Sequence, residues 1–270
     1  MSLKYFICPD GKTRPTSACN ECPREEGRCL SLPTLRDLGN ARVFKGTPST
    51  TMLLSPTRLE YLKIKYDYAE SPHGMAFALL GTRHHYRLEQ VAKQIEGLVA
   101  EEKLKGEVSG IVDLLEPDDK FPDKYKLIDL KTWGSYAVAK ILSQKEKGGY
   151  ELRNAELQLN NYRIMCEALG FKISRMFAQV TVRDGGTFTA KNNKVDWKLG
   201  MIPIAILDDD FVKEYFNTKK KALMDALESD TMPELCPYEE RWGGRRCKGF
   251  CPVFMFCLEG AKVNKVELKS

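Results

Sequence analysis

The stretch Lys124–Tyr125–Lys126–Leu127–Ile128–Asp129–Leu130–Lys131–Thr132–Trp133 reads as a β-strand with a charged pair set into it. The two-residue period of a strand puts Leu127, Asp129 and Lys131 on one face, and Ile128 and Leu130 on the other. Standing alone, an Asp-X-Lys of this kind is most often an ordinary same-face ion pair. Its neighbours change the reading. Upstream, EVSGIVDLLE (107–116) is a second aliphatic run, separated from the first by the turn-rich EPDDKFPD, and its Gly110–Ile111–Val112–Asp113 sets another carboxylate among apolar residues. Burying such an Asp is costly unless something compensates its charge. Two carboxylates on adjacent strands compensate each other only through a cation. Mg²⁺ or Mn²⁺ takes such a partial cage of oxygens, with waters completing the octahedron.

Outward from these two runs, the pattern alternates helix and strand. SPTRLEYLKIKYDYAE (55–70) has Ser55 as a helix cap, Pro56 next, and Leu59, Leu62 and Tyr66 at helical spacing. A second helix over 76–98 offers Leu79, Leu80, Leu88, Val91, Ile95 and Leu98 as a buried stripe. Residues 151–169 form a helix ending at Gly170, with Leu157, Tyr162, Met165 and Leu169 on its apolar face. FKISRMFAQVTV (171–182) and MIPIAILD (201–208) are strands, and 210–227 a helix. This order predicts a mixed α/β domain.

Two side-chain pairs accompany the carboxylates. His85 and Glu89 are four apart and share a helix face, as do Gln158 and Tyr162. A lone helical His is usually structural, and Gln-x3-Tyr by itself is a weak signal. His84 points about 100° away from His85 on a helix of 3.6 residues per turn.

The totals exclude little. A chain of 270 residues, 43% hydrophobic and 29% charged, suits one sizeable domain with additions or two modest ones. No run of about eighteen apolar residues is present and no secretory leader opens the sequence, so the default expectation is a cytoplasmic protein. A net charge of +5 permits nucleic-acid binding without requiring it.

Taken in order, Gly-x3-His-x3-Glu (81–89), Gly-x2-Asp (110–113), Asp-x-Lys-Thr (129–132) and Gln-x3-Tyr (158–162) resemble the successive motifs of RecB-like PD-(D/E)XK nucleases. The resemblance covers about 53–165. It implies a restriction-endonuclease-like core, a central mixed sheet flanked by helices, spanning 51–232. It also implies a metal-dependent deoxyribonuclease, an exonuclease acting on DNA ends or single strands in phage or CRISPR-type processing, recombination or repair. By resemblance, His85, Asp113, Asp129 and the Leu130 carbonyl ligate Mg²⁺ or Mn²⁺. Lys131 serves the attacking water, and Gln158 and Tyr162 position the strand. DNA is the expected partner, together with proteins of a DNA-processing complex. The alternative is a non-catalytic DNA-end-binding or assembly protein on the same fold, against which the retained Asp113, Asp129 and Lys131 argue.

Eight of the nine cysteines form two quartets, Cys8, Cys19, Cys22 and Cys29 within 1–50, and Cys236, Cys247, Cys251 and Cys257 within 233–270. In a reducing compartment such clusters favour metals over disulfides. The N-terminal set, with Cys-x2-Cys, is expected to hold Zn²⁺ and to order a segment poor in apolar residues. The C-terminal spacing suits an iron–sulfur cluster or zinc. The CRISPR-associated and AddB-type nucleases resemble this chain in three closely spaced C-terminal cysteines, which implies a 4Fe–4S cluster. Their fourth ligand lies upstream of the His helix, near Ile64 here, where no cysteine stands. Either Cys236 completes the site, which is the preferred reading, or the N-terminal segment does. Trp242, Arg245, Arg246 and Lys219–Lys221 are candidate DNA contacts, although for the triple lysine a solvated surface is the simpler account.

Overall fold

The computed structural model describes residues 3–40, 43–145 and 149–269. Its contacts divide the chain into two compact units. One is built from Met1–Pro48, Ser55–Leu79 and Lys219–Ser270, the other from Ser49–Leu54 and Leu80–Thr218. Boundaries at 50 and 232 follow composition, whereas these follow packing, and both cysteine-rich ends fall in the same unit. No helix among the described residues is long and apolar enough to cross a membrane.

The first unit begins with β1 (Leu3–Ile7) and β2 (Thr13–Pro15), followed by a 3₁₀ turn at Thr16–Cys19 and α1 (Leu32–Gly39). The second contributes the short α2 (Thr50–Leu53). Then come α3 (Thr57–Lys65), β3 (Tyr68–Glu70), a 3₁₀ turn at Pro72–Met75 and α4 (Ala76–Ala92). Strands β2, β1 and β3 form a small sheet, antiparallel then parallel. Leu3, Phe6, Leu35 and Leu38 are buried under it, with Cys19, Cys29 and Leu79 packed alongside. The N-terminal segment, expected to be irregular, therefore has a strand framework and a modest core of its own. Helix α3 starts at Thr57, with Pro56 rather than Ser55 at the cap. It fastens the chain's C-terminal part. Arg58 Nε donates to the carbonyls of Pro233 (2.7 Å) and Glu234 (3.0 Å), Tyr61 donates to Asp230, and Tyr66 stacks on Phe256.

The second unit is a five-stranded mixed sheet in the order β4 (Val99–Leu104), β5 (Gly110–Pro117), β6 (Tyr125–Trp133), β7 (Ile173–Val182), β8 (Leu199–Ile204). Only β6 and β7 run parallel. Parallel neighbours need a long crossover, and this one consists of α5 (Ser135–Gln144) and α6 (Tyr150–Ala168). After β7 come α7 (Phe188–Asn192), β8 and α8 (Asp209–Glu228), and the chain ends through α9 (Arg245–Gly249) and α10 (Leu258–Asn264). The architecture is α/β, with helices flanking the sheet.

Helix α6 is buried nearly all round, and its polar residues are bonded to other elements. Asn160 spans the Ala205 carbonyl and the Leu207 amide, while Asn161 donates to Thr50. Leu127, Leu159, Met176 and Val180 pack between this helix and the sheet. Helix α4 departs from expectation. It stops at Ala92 rather than 98, because the chain turns at Gly97 (φ 82°) to enter β4. Its supposed buried stripe is largely open, with Leu80 47%, Val91 39% and Ile95 50% exposed.

Candidate metal centre

The centre forms where β5 and β6 part. Their ladder runs from Pro117↔Tyr125 to Leu114↔Ile128, while β6 stays paired with β7 on its other side through Trp133. Beyond the ladder's last pair, the Leu130 amide donates to Asp113 Oδ2 at 2.7 Å. A side-chain carboxylate thus occupies the place of a strand carbonyl, which fixes Asp113 at the mouth of the gap. Gly110 lies under the α6 tyrosine: a Cβ there would sit 2.6 Å from Tyr162 Cε1, so the ring requires the glycine.

On one side of the gap, His85 of α4, Glu101 of β4 and Asp113 of β5 converge. His85 Nδ1 lies 3.4 Å from Asp113 Oδ1 and 4.0 Å from Glu101 Oε1, and one ligand atom from each residue falls within 4.8 Å of the others. The hydrogen bond to Asp113, outweighing burial, raises the His85 pKa, and the Leu130 carbonyl also accepts from it. Glu101 holds a left-handed backbone (φ 54°) inside a strand. Such a conformation costs about 1–3 kcal/mol, and it recurs where function orients a side chain. Sequence reading missed Glu101 because Val99–Leu104, charged at three of its six positions, shows no apolar alternation. Glu101→Gln is expected to weaken Mn²⁺ binding by about 10–100-fold, measured by calorimetric titration. Unchanged affinity would remove Glu101 from the site.

On the other side, Asp129 is only 2% exposed. Its Oδ1 accepts from Gln158 Nε2 (3.2 Å), and Gln158 Oε1 accepts from Lys131 Nζ (3.1 Å). Lys131 Nζ also stands 2.7 Å from Asp129 Oδ2, a close ion pair with a carboxylate that is otherwise shut off from solvent. Burial raises the Asp129 pKa, and the Lys131 charge offsets only part of that. The hydroxyl of Tyr162 lies 3.5 Å from Gln158 Nε2, and burial raises its pKa so that it stays protonated.

The expected set is therefore regrouped. His85, Asp113 and Leu130 come together, joined by Glu101, while Asp129 belongs with Lys131 and Gln158. The charges of Asp113 and His85 nevertheless act on Asp129. Oxygen donors from three strands and one imidazole fit Mg²⁺ or Mn²⁺. His84 turns instead towards Thr181 (3.4 Å), and Glu89 pairs with Lys93.

All nine cysteines are free thiols. In the N-terminal quartet, burial and then the charges of Cys8, Cys29 and Cys22 raise the Cys19 pKa. In the C-terminal quartet, burial pushes the Cys251 thiol up to about 11, and the neighbours acting on it are Cys247, Cys236 and Cys257. The charges of Cys257 and Cys247 act on Cys236 in turn. Arg58 Nη1 donates to Cys257 Sγ at 3.7 Å, and Arg241 to Cys247. Neither quartet brings three ligand atoms within 4.8 Å of one another among the described residues. Cys166 is buried in the second unit's core, its pKa raised to about 12 by desolvation. Lys219 and Lys221 pair with Glu240 and Asp225, and Arg246 lies 4.2 Å from the centroid of the Trp242 ring.

Neither a scan against models of known protein families nor a search of curated proteins finds a match to this chain.

Proposed function

We propose that the chain is a metal-dependent deoxyribonuclease of the RecB-like PD-(D/E)XK kind, with a restriction-endonuclease-like core, acting on DNA ends or single strands. The observation that carries this reading is the juxtaposition of His85, Glu101 and Asp113 with a buried Asp129 that is paired with Lys131. A fold has no structural use for so many ionisable groups at a parted strand pair, since each raises the cost of burial. Phosphodiester hydrolysis has a use for all of them.

His85, Glu101, Asp113, Asp129 and the Leu130 carbonyl are the residues that would hold Mg²⁺ or Mn²⁺. A bound divalent ion lowers the pKa of water and neutralises charge on the phosphate. Lys131, kept in place by Gln158, retains N–H donors for the attacking water or for a non-bridging oxygen as negative charge builds there. Water oxygen bonds to phosphorus, the P–O bond to one sugar breaks, and the products are a phosphate monoester and an alcohol. Gln158 ties Asp129, Lys131 and Tyr162 into one rigid network, so its role is positioning.

The cysteine quartets supply structural metal sites in this reading, Zn²⁺ at Cys8, Cys19, Cys22 and Cys29, and a 4Fe–4S cluster at Cys236, Cys247, Cys251 and Cys257. Thiolates gathered in one place are relieved by a cation. The arginines donating to Cys257 and Cys247 resemble the hydrogen bonds that tune cluster sulfurs.

The test is digestion of end-labelled single- and double-stranded DNA by the wild-type protein in Mn²⁺ or Mg²⁺, with and without a chelator. Cleavage that stops on chelation and returns with added metal is the expected result. A wild-type protein that binds DNA but cuts neither form with either ion would overturn the proposal.

A further inference from the structure

We infer that the cavity beside the metal centre receives one unstacked nucleobase of the strand being cut, which makes unpaired DNA the substrate. The inference rests on the nuclease reading and names that site's substrate class.

The cavity, of about 200 Å³, lies wholly within the second unit and shares His85, Glu101 and Asp113 with the cation group. Whatever enters it sits beside the metal ligands, and a phosphate held there carries its nucleoside only one sugar away. The walls are aliphatic: Leu88 and Val91 from α4, Ile95 and Leu98 from the turn after it, and Leu114 from β5. These include residues that a helix buried on this side would have covered. Val91 and Ile95 instead stand open at the cavity. A contiguous exposed apolar surface of this kind marks a binding site.

Size and chemistry select the occupant. The volume falls below the roughly 300 Å³ at which sites for drug-sized ligands begin, so it admits one small group rather than a whole nucleotide or a base pair. Apolar walls take the flat face of a base, as in enzymes that hold an extruded base between apolar side chains. Gln179, beside Leu130 in the sheet, reaches the cavity and makes no side-chain hydrogen bond among the described residues. Its amide offers a donor and an acceptor to a base edge. Besides Glu101 and Asp113 of the cation group, the cavity's acids are Glu89 and Glu116, which are paired with Lys93 and Lys126 and so do not charge it against a nucleotide. A base stacked in a duplex cannot enter without leaving its partner. Single strands and frayed ends present theirs at little cost.

The test compares single-turnover cleavage in Mn²⁺ of a single-stranded oligonucleotide and of the same strand carrying a run of abasic residues. The proteins are wild type, Ile95→Trp and Val91→Trp, each substitution filling the cavity from its exposed side. Wild type is expected to cut the base-bearing strand at least tenfold faster than the abasic run. The two variants should cut the base-bearing strand at the abasic rate, and the abasic run as fast as wild type does. Equal wild-type rates on both strands would overturn the inference while leaving the nuclease reading intact. So would variants that match wild type on the base-bearing strand, or that lose the abasic run as well. A wild-type protein that cuts neither strand would overturn both.

Discussion

Lys131→Ala is expected to lower Mn²⁺-dependent DNA cleavage by about a thousandfold, while Mn²⁺ affinity stays within about tenfold of wild type. The ammonium is no cation ligand. It faces Asp129 Oδ2 at 2.7 Å and donates to Gln158 Oε1. In the proposed reaction, removing it takes away charge aimed at the phosphate in the transition state and leaves the His85 nitrogen and the Glu101 and Asp113 oxygens where they were. Initial rates on end-labelled DNA at saturating Mn²⁺, beside a calorimetric titration of the metal, separate the two effects. Cleavage at the wild-type rate would remove Lys131 from the reaction, and parallel loss of metal binding would recast it as a structural partner of Asp129.

Asp129→Asn should separate activity from stability in the opposite sense. The wild-type carboxylate is almost wholly buried, and desolvation disfavours its charged form by more than the Lys131 charge restores. A neutral isostere relieves that cost. For a chain of this size, a gain of ~1 kcal/mol raises Tm by about 2–4 °C, read by differential scanning calorimetry without metal. In the proposed centre the same change removes an anionic ligand, so cleavage should fall by about a thousandfold and the stabilising effect of added Mn²⁺ should shrink. A site that gains stability when it loses function is built against the preferences of the fold. A lower metal-free Tm with full activity would show that Asp129 is an ordinary core ion pair.

The contrast between these residues and Glu101 tracks what the sequence could convey. Asp113 and Asp129 stand out because each interrupts an aliphatic strand, and an interruption of a strong pattern is visible. The strands β5, β6 and β7 and the helix α6 follow from the same patterns to within a few residues. Glu101 interrupts nothing: in Val99–Leu104 three of six residues are charged, and no alternation marks the strand. Its role depends on β4 lying antiparallel to β5, with Ala100 opposite Leu114 and Glu102 opposite Val112, a pairing that no local propensity carries. Helix α4 misleads for the converse reason. Its apolar stripe is plain, but burial was the wrong inference from it, because periodicity reports a helix face and not what covers that face. The small N-terminal sheet was hidden by strands of three to five residues, too short for alternation to register.

The way the chain is shared between its two units bears on the order of folding. The second unit draws nearly all of its residues from one continuous run, Leu80–Thr218, whereas the first gathers three separated segments. Bonds such as that from Arg58 to Pro233 close a loop with that whole run inside it. Closing a flexible loop of such length costs about 4 kcal/mol of chain entropy, and less once the intervening run has already collapsed. The sheet bearing the acidic gap should therefore mature early, on mostly local contacts, with the cysteine-bearing unit closing afterwards. Nascent chains stalled before α8 emerges would carry a formed acidic centre while the anchor points for the C-terminal thiols still waited for their partners.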